Sequence, residues 1–159
     1  MGSKLELYKN LRQNSSVLKK TKHKHRVFVG VGGNIGDVRR RIFRLYNFLK
    51  KDSRIGIEKI SSILKNPPFG YTNQDDFFNS VVVLKTDMNP KEFLAYLMRV
   101  EKRFLWKRSF KDEPRTLDLD IIFYDNIKMN TQKLTIPHPH FSKRESVMIP
   151  LKELRVWRY

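Results

Sequence analysis

The 159-residue chain contains no cysteine, seven glycines, seven prolines and about half as many acidic as basic side chains, 16 against 33. The missing cysteine excludes a disulfide framework, a thiolate metal site and a cysteine nucleophile. No apolar run approaches the roughly 20 residues that span a bilayer. The first sixteen residues, MGSKLELYKNLRQNSS, are basic but hold no long apolar core of a signal peptide. A cytoplasmic protein without a membrane partner is therefore expected. Hydrophobic residues at 40% and aromatics at 12% exclude a disordered chain, and the length suits one domain with a core of its own. What is in excess is positive charge. A formal +17 points to an anionic partner: nucleic acid, a membrane surface or a phosphate-rich small molecule.

That charge is unevenly spread. Residues 1–26 carry eight Lys/Arg against Glu6, a net +7, and residues 27–159 carry the remaining +10. The organisation read from this is a basic extension over 1–25 followed by a single domain over 26–159. Leu5, Leu7, Leu11, Val17 and Leu18 make a weak helical stripe in the extension. It is either a solvated tail or an arm that docks on the domain or on RNA.

Within the domain, VFVGVG (27–32) predicts a buried strand. GGNIGD (32–37) is a turn with Asp37 as helix cap, and Val38, Ile42, Leu45 and Leu49 then recur at helical spacing. Arg39, Arg40, Arg41 and Arg44 fall mostly on the wet side. Residues 54–64 predict a second strand, 66–76 a long aromatic turn suited to binding, and 77–86 a third strand. Asn89, Pro90 and Glu92 combine a cap, a proline at the first helical position and a capping-box acid. Phe93, Leu94, Leu97, Val100, Glu101 and Phe104 continue that helix. A charged loop (105–114), a fourth strand (115–124), short strands around 134–140 and a helix near 150–154 complete the chain. The order β-α-β-β-α-β is that of a ferredoxin-like α+β sandwich, helices over an antiparallel sheet, with a C-terminal extension.

The segment TLDLDII (116–122) carries the strongest chemical signal. Side chains alternate along a strand, so Asp118 and Asp120 share one face, about 7 Å apart, and Leu117, Leu119 and Ile121 share the other. Two such carboxylates repel each other. A hard cation relieves that repulsion, and Mg²⁺ is held by one or two carboxylates together with substrate phosphates; the alternative is an exposed face that merely carries two acids. Lys107, Arg108, Lys111, Arg115, Lys133, Lys143 and Arg144 flank the segment and suit phosphate. His138, between Pro137 and Pro139, either donates to phosphate or packs. The run GVGGNIGD lacks the third glycine of G-x-G-x-x-G, because Ile35 stands there, and has no G-K-[ST], so it reads as a turn whose backbone lies close to its neighbours. Asn66, Pro68, Phe69, Phe77 and Asn79 combine rigidity, rings and amides that suit a flat heterocycle; singly, the phenylalanines read as core. No Ser-His-Asp order and no H-E-x-x-H occurs.

Taken together, these stretches resemble the 6-hydroxymethyl-7,8-dihydropterin pyrophosphokinase family of folate biosynthesis, over roughly residues 27–154. The resemblance rests on VGGNIGD (31–37), Ser61–Ser62 with NPPFG (66–70), Phe78–Asn79, and above all PRTLDLDI (114–121) followed by LTIPHP (134–139). It implies transfer of pyrophosphate from ATP to the pterin hydroxymethyl group, with AMP released. It implies two Mg²⁺ with ATP on Asp118 and Asp120, with Arg108 and Arg115 in the catalytic loop. Glu101, Arg115, Ile121, Lys133, Thr135, His138 and Arg144 match ATP positions, and Asn66, Pro68, Phe69, Phe77, Asn79 and Asp118 match the pterin pocket. Phe77 would be one slice of an aromatic sandwich and Asn79 would read the pterin edge. ATP and the pterin are then the partners of a monomer that needs no nucleic acid.

The chain also departs from the family. Ser146 stands where the second sandwich aromatic falls, leaving either Phe141 to fill in or a looser grip on pterin. Leu105–Trp106–Lys107–Arg108 and Lys111–Asp112–Glu113 replace the usual Arg-rich lid, with one residue fewer. The competing readings are a basic RNA-binding domain of the same topology, although no RNP1 pattern is present, and a nucleotide-binding relative without activity.

Overall fold

A computed structural model describes residues 6–8, 22–67, 75–106 and 117–155. In chain order these form β1 (Glu6–Tyr8), β2 (His25–Gly33), α1 (Val38–Lys51), β3 (Ile55–Ile60), β4 (Ile63–Asn66), β5 (Phe77–Thr86), α2 (Pro90–Trp106), β6 (Asp118–Tyr124), β7 (Met129–Asn130), β8 (Thr135–Ile136), a 3-10 turn (Phe141–Lys143) and α3 (Glu145–Glu153). The fold is α+β. The main sheet runs β1-β4-β5-β2-β6, with β3 also on β5, and every pairing in it is antiparallel. Among the described residues no helix is long and apolar enough to cross a membrane.

Period-two alternation explains how the layers form. Val27, Val29 and Val31 of β2, Val82 and Leu84 of β5, and Leu119 and Ile121 of β6 face α1 and α2. They join Ile42, Leu45, Phe93 and Leu97 in the larger core. Phe28, Val81, Val83, Ile122 and Phe123 face the other way and are covered by Leu151 and Leu154 at the end of α3. The sheet is thus sheltered on both faces, but α3 covers only part of its own. The expected caps are present. Asp37 accepts the Arg40 N–H at 3.1 Å. The Glu92 N–H donates to Asn89 Oδ1 at 2.9 Å while the Asn89 N–H donates to Glu92 Oε1 at 3.2 Å, a reciprocal capping box.

Four expectations change. The strand expected over 54–64 is two strands, because Ser61 and Ser62 break it with their side chains. Ser61 Oγ accepts the Val81 N–H at 2.8 Å, and the Ser62 hydroxyl donates to the Glu153 carboxylate at 2.7 Å. The helical stripe expected in the extension is replaced at 6–8 by β1. The open edge of β4 offers these residues a backbone ladder that a short amphipathic segment cannot match alone; the rest of the stripe lies outside the described residues. Arg41 is 4% exposed rather than on the wet side, its Nη1 donating to the Ile35 carbonyl at 2.8 Å. The last helix begins at Glu145, not at Pro150, which sits inside it.

Asp52 ties the helical layer together. Its N–H caps Leu49 of α1, and its carboxylate accepts both Nε and Nη2 of Arg54 at 3.0 and 2.9 Å and the Tyr96 hydroxyl of α2 at 2.9 Å. These donors, Arg54 foremost, lower its pKa from 3.8 to about 2. The stability it contributes is present above pH 3.8 and is lost as pH falls through about 2. Asp52→Ala is expected to destabilise the protein by about 2 kcal/mol at pH 7, read as a lower midpoint in thermal unfolding. The deficit against wild type should shrink as pH approaches 2.

Candidate active site

On the α3 face of the sheet, the central strand presents glycine twice in succession, at Gly30 and Gly32. Antiparallel pairing puts Gly32 between Asn79 of β5 and Asp118 of β6, and Gly30 between Val81 and Asp120. Two adjacent positions without side chains leave a trough, and it deepens into a cleft of about 400 Å³. A Cβ at Gly32 would stand 2.4 Å from Asn79 Oδ1, so this amide occupies space that only glycine leaves open. The amide is held in turn: Asn79 Nδ2 donates to Asn66 Oδ1 at 2.6 Å, and Asn66 Nδ2 to the Pro67 carbonyl at 3.2 Å. Phe77 lies beside them, on the same face of β5 and partnered with Asn66.

The carboxylate wall follows from the strand pattern. Asp118 is half-buried and Asp120 exposed, while Leu119 between them is in the core. A bulge comes next. The register moves from Phe28 opposite Phe123 to Val29 opposite Ile121, so Ile122 is extra and both Ile122 and Phe123 face α3. The displaced Ile122 carbonyl accepts the His138 N–H at 2.9 Å, which sets His138 at the cleft beyond Asp120. The opposite rim is the start of α3 with the turn before it: Lys143, Arg144, Ser146 and Val147.

The cleft therefore gathers eight candidate binding residues singled out from sequence: Asn66, Phe77, Asn79, Asp118, Asp120, His138, Lys143 and Arg144. Four others lie outside it. Glu101 Oε1 accepts the Leu119 N–H at 2.8 Å from the helix side of β6. Ile121 is in the core, and Lys133 and Thr135 stand on the β7–β8 hairpin, exposed and half-buried. Pro68, Phe69, Arg108 and Arg115, with Lys107 and Lys111, fall outside the described residues. Phe141 packs edge-on against Phe123 at 4.8 Å and does not line the cleft; Val147 does. Sequence reasoning missed the paired glycines as a floor, although their period-two spacing inside an apolar strand was a usable signal. It also missed Val147, because the helix start was placed too late.

Burial holds the His138 imidazole below its ordinary 6.5, with Asp120 opposing and Arg144 and His140 adding to the effect. Its Nδ1 accepts the His140 N–H at 3.3 Å, which assigns the ring proton to Nε2. The ring is thus a neutral donor at pH 7. Amides and an aromatic ring at one end, carboxylates in the middle and cations on the facing rim define an enzyme site for a small molecule that is part flat heterocycle, part anion.

Comparison with known proteins narrows that class. Residues 28–156 match the family of 7,8-dihydro-6-hydroxymethylpterin-pyrophosphokinase. A 2-amino-4-hydroxy-6-hydroxymethyldihydropteridine pyrophosphokinase from Helicobacter pylori is 40% identical over 129 residues, 80% of this chain and 79% of that protein. Proteins of the same name from Aquifex aeolicus (36% over 129 residues, 80% of this chain and 79% of that one) and Campylobacter jejuni (34% over 128 residues, 80% and 82%) are also similar. The chain belongs to the 7,8-dihydro-6-hydroxymethylpterin-pyrophosphokinase family.

In an NMR titration, His138 is expected to protonate with a midpoint below 6.5. Arg144→Ala should raise the midpoint and Asp120→Asn should lower it further. A midpoint above 6.5 that ignores both substitutions would contradict this electrostatic picture.

Proposed function

We propose that the cleft catalyses transfer of pyrophosphate from ATP to the hydroxymethyl oxygen of 6-hydroxymethyl-7,8-dihydropterin in folate biosynthesis. The hydroxymethyl oxygen bonds to the β-phosphorus, the bond from that phosphorus to the α–β bridging oxygen breaks, and AMP leaves with that oxygen. Family membership supports the reaction. The observation that carries its placement is the row Asn79–Gly32–Asp118 across three strands. With strands about 4.8 Å apart, the backbones that carry Asn79 and Asp118 stand about 10 Å apart, and the strand between them carries no side chain at Gly32.

In this reading Asn79 and Asn66 hydrogen-bond the pterin edge and Phe77 stacks on one ring face, with Pro68 and Phe69 completing the pocket. Val147 stands across the cleft at the α3 rim, one residue from Ser146, where the family's second ring falls. Asp118, next along the row, receives the hydroxymethyl O–H. Asp118 and Asp120 fit a pair of Mg²⁺ carried in with ATP. They open to the cleft from one strand face, and among the described residues no cluster of three or more His, Asp or Glu closes a cage around them. A cation held there by Asp118 and Asp120 would leave its remaining positions to water and phosphate, which suits Mg²⁺. When bound, the ions neutralise phosphate charge. His138 donates from Nε2, and Arg144 with Arg108 and Arg115 contacts phosphate oxygens, so the protein positions the groups and compensates charge. Glu101, Ile121, Lys133 and Thr135 stand outside the cleft, so the nucleotide base runs past the edge strand β6 towards them.

The same reading takes the sheet order β6-β2-β5-β3/β4 as the ferredoxin-like split βαβ order. It takes 26–159 as the catalytic unit, acting as a cytoplasmic monomer. It also disfavours RNA, because α3 covers part of the sheet face on which RNA-binding domains of this order stack bases.

With ATP, Mg²⁺ and the reduced pterin, the protein is expected to form AMP only when pterin is present. Asp118→Ala or Asp120→Ala should cut the rate by roughly 10² or more; release of ADP would overturn the reading. Gly32→Ala should raise the pterin KM by about tenfold, equivalent to about 1.4 kcal/mol, with a smaller effect on ATP, because the new methyl displaces Asn79 and not Asp118.

A further inference from the structure

A second cavity, of about 590 Å³, lies between α1 and α2, on the opposite side of the sheet from the catalytic cleft. Arg41, Arg44 and Lys51 of α1 and Arg103 of α2 line it, and among the described residues no acid does. Positions 41, 44, 48 and 51 form one stripe of α1. Its cations therefore share a single concavity instead of spreading over solvent. By contrast, Arg26 holds Glu58 through two hydrogen bonds, and Arg54 holds Asp52. Among the described residues, Arg44, Lys51 and Arg103 have no carboxylate within ion-pair distance.

Two of the guanidinium groups are fixed in advance. Arg41 is 4% exposed and anchored through Nη1 to the Ile35 carbonyl, so its charge sits in the wall with little water around it. Arg103 lies over the Phe48 ring at 4.8 Å, and Phe104 meets that ring edge-on at 6.0 Å, so the ring steadies the guanidinium. Arg44 and Lys51 are exposed at the mouth. Three such cations, Arg44, Lys51 and Arg103, converging on a space of ligand size beside the buried Arg41 is an arrangement that an anion stabilises. Three forked guanidinium groups and one ammonium suit the oxygens of phosphate.

We propose that this cavity is a second anion site, separate from the catalytic cleft, which takes a small phosphate-bearing molecule. The ligand is either an inorganic polyphosphate or the phosphate end of a nucleotide. Because the site uses neither the acids nor the metal of the cleft, it binds without Mg²⁺.

The test is calorimetric titration of the full chain with inorganic pyrophosphate, and separately with AMP, in EDTA. Pyrophosphate should bind, and binding should weaken by roughly tenfold or more in Arg44→Ala/Arg103→Ala while staying within about twofold in Lys143→Ala/Arg144→Ala at the cleft. Arg44 and Arg103 are exposed, and the double variant should keep a cooperative thermal transition. As a check independent of any variant, pyrophosphate should shift the backbone NMR signals of Phe48 and Arg103 in the wild-type protein. Tighter binding of AMP than of pyrophosphate would identify a nucleotide as the ligand, and the reverse order an inorganic polyphosphate. The proposal is overturned if pyrophosphate leaves those signals unmoved, or if binding is lost in the cleft variant and kept in the α1–α2 variant.

Discussion

Two missing side chains organise the working face of this protein. The central strand carries valine on the face towards α1 and α2, and at Gly30 and Gly32 it carries nothing on the other. That asymmetry within one strand gives a continuous core on one face and a trough on the other. The trough lies between the amide of Asn79 and the carboxylates of Asp118 and Asp120, because antiparallel register leaves those residues no other place to be. A larger residue at 32 would meet Asn79 before it met any ligand.

The remaining structure keeps that trough open at one end and closed at the other. Helix α3 seals the apolar end with Leu151 and Leu154. It is pinned by the Glu153 carboxylate, which accepts from the N–H and hydroxyl of Ser62, and by Lys59, which donates to the Leu154 carbonyl at 3.2 Å. The serines that break the β3–β4 edge are therefore also the anchor of the helix whose first turn supplies Arg144, Ser146 and Val147. On the other side of the sheet, Ser80 Oγ accepts the Tyr46 hydroxyl of α1 at 2.7 Å and lies 3.0 Å from Ser61 Oγ, so a buried hydroxyl chain joins α1 to the same break. On β6, one bulged residue turns its carbonyl to His138 and brings a loop histidine up to the acids.

Much of this was legible in the sequence, wherever a local rule had no competitor. The capping box at Asn89 and Glu92, the cap at Asp37 and the alternation around Asp118 and Asp120 all came out as read. What escaped depended on partners far away in the chain. The Ser61–Ser62 break requires Glu153, 91 positions on from Ser62, and β1 requires the free edge of β4. The bulge at Ile122 leaves no mark in a run of apolar residues. Charge was legible as a total but not as a location. The domain's +10 could be credited to a phosphate substrate, yet Arg41, Arg44, Lys51 and Arg103 converge on the helical side, away from the acids.

In the proposed function, pterin and phosphate occupy the two sides of Gly32. A crystal structure with the reduced pterin, Mg²⁺ and a non-transferable ATP analogue tests it directly. The heterocycle should lie against Asn79 and Phe77, its hydroxymethyl group directed across Gly32 towards Asp118, and the metal-bound phosphates should lie at Asp118 and Asp120. A pterin bound away from Asn79, or phosphates held without either aspartate, would contradict it.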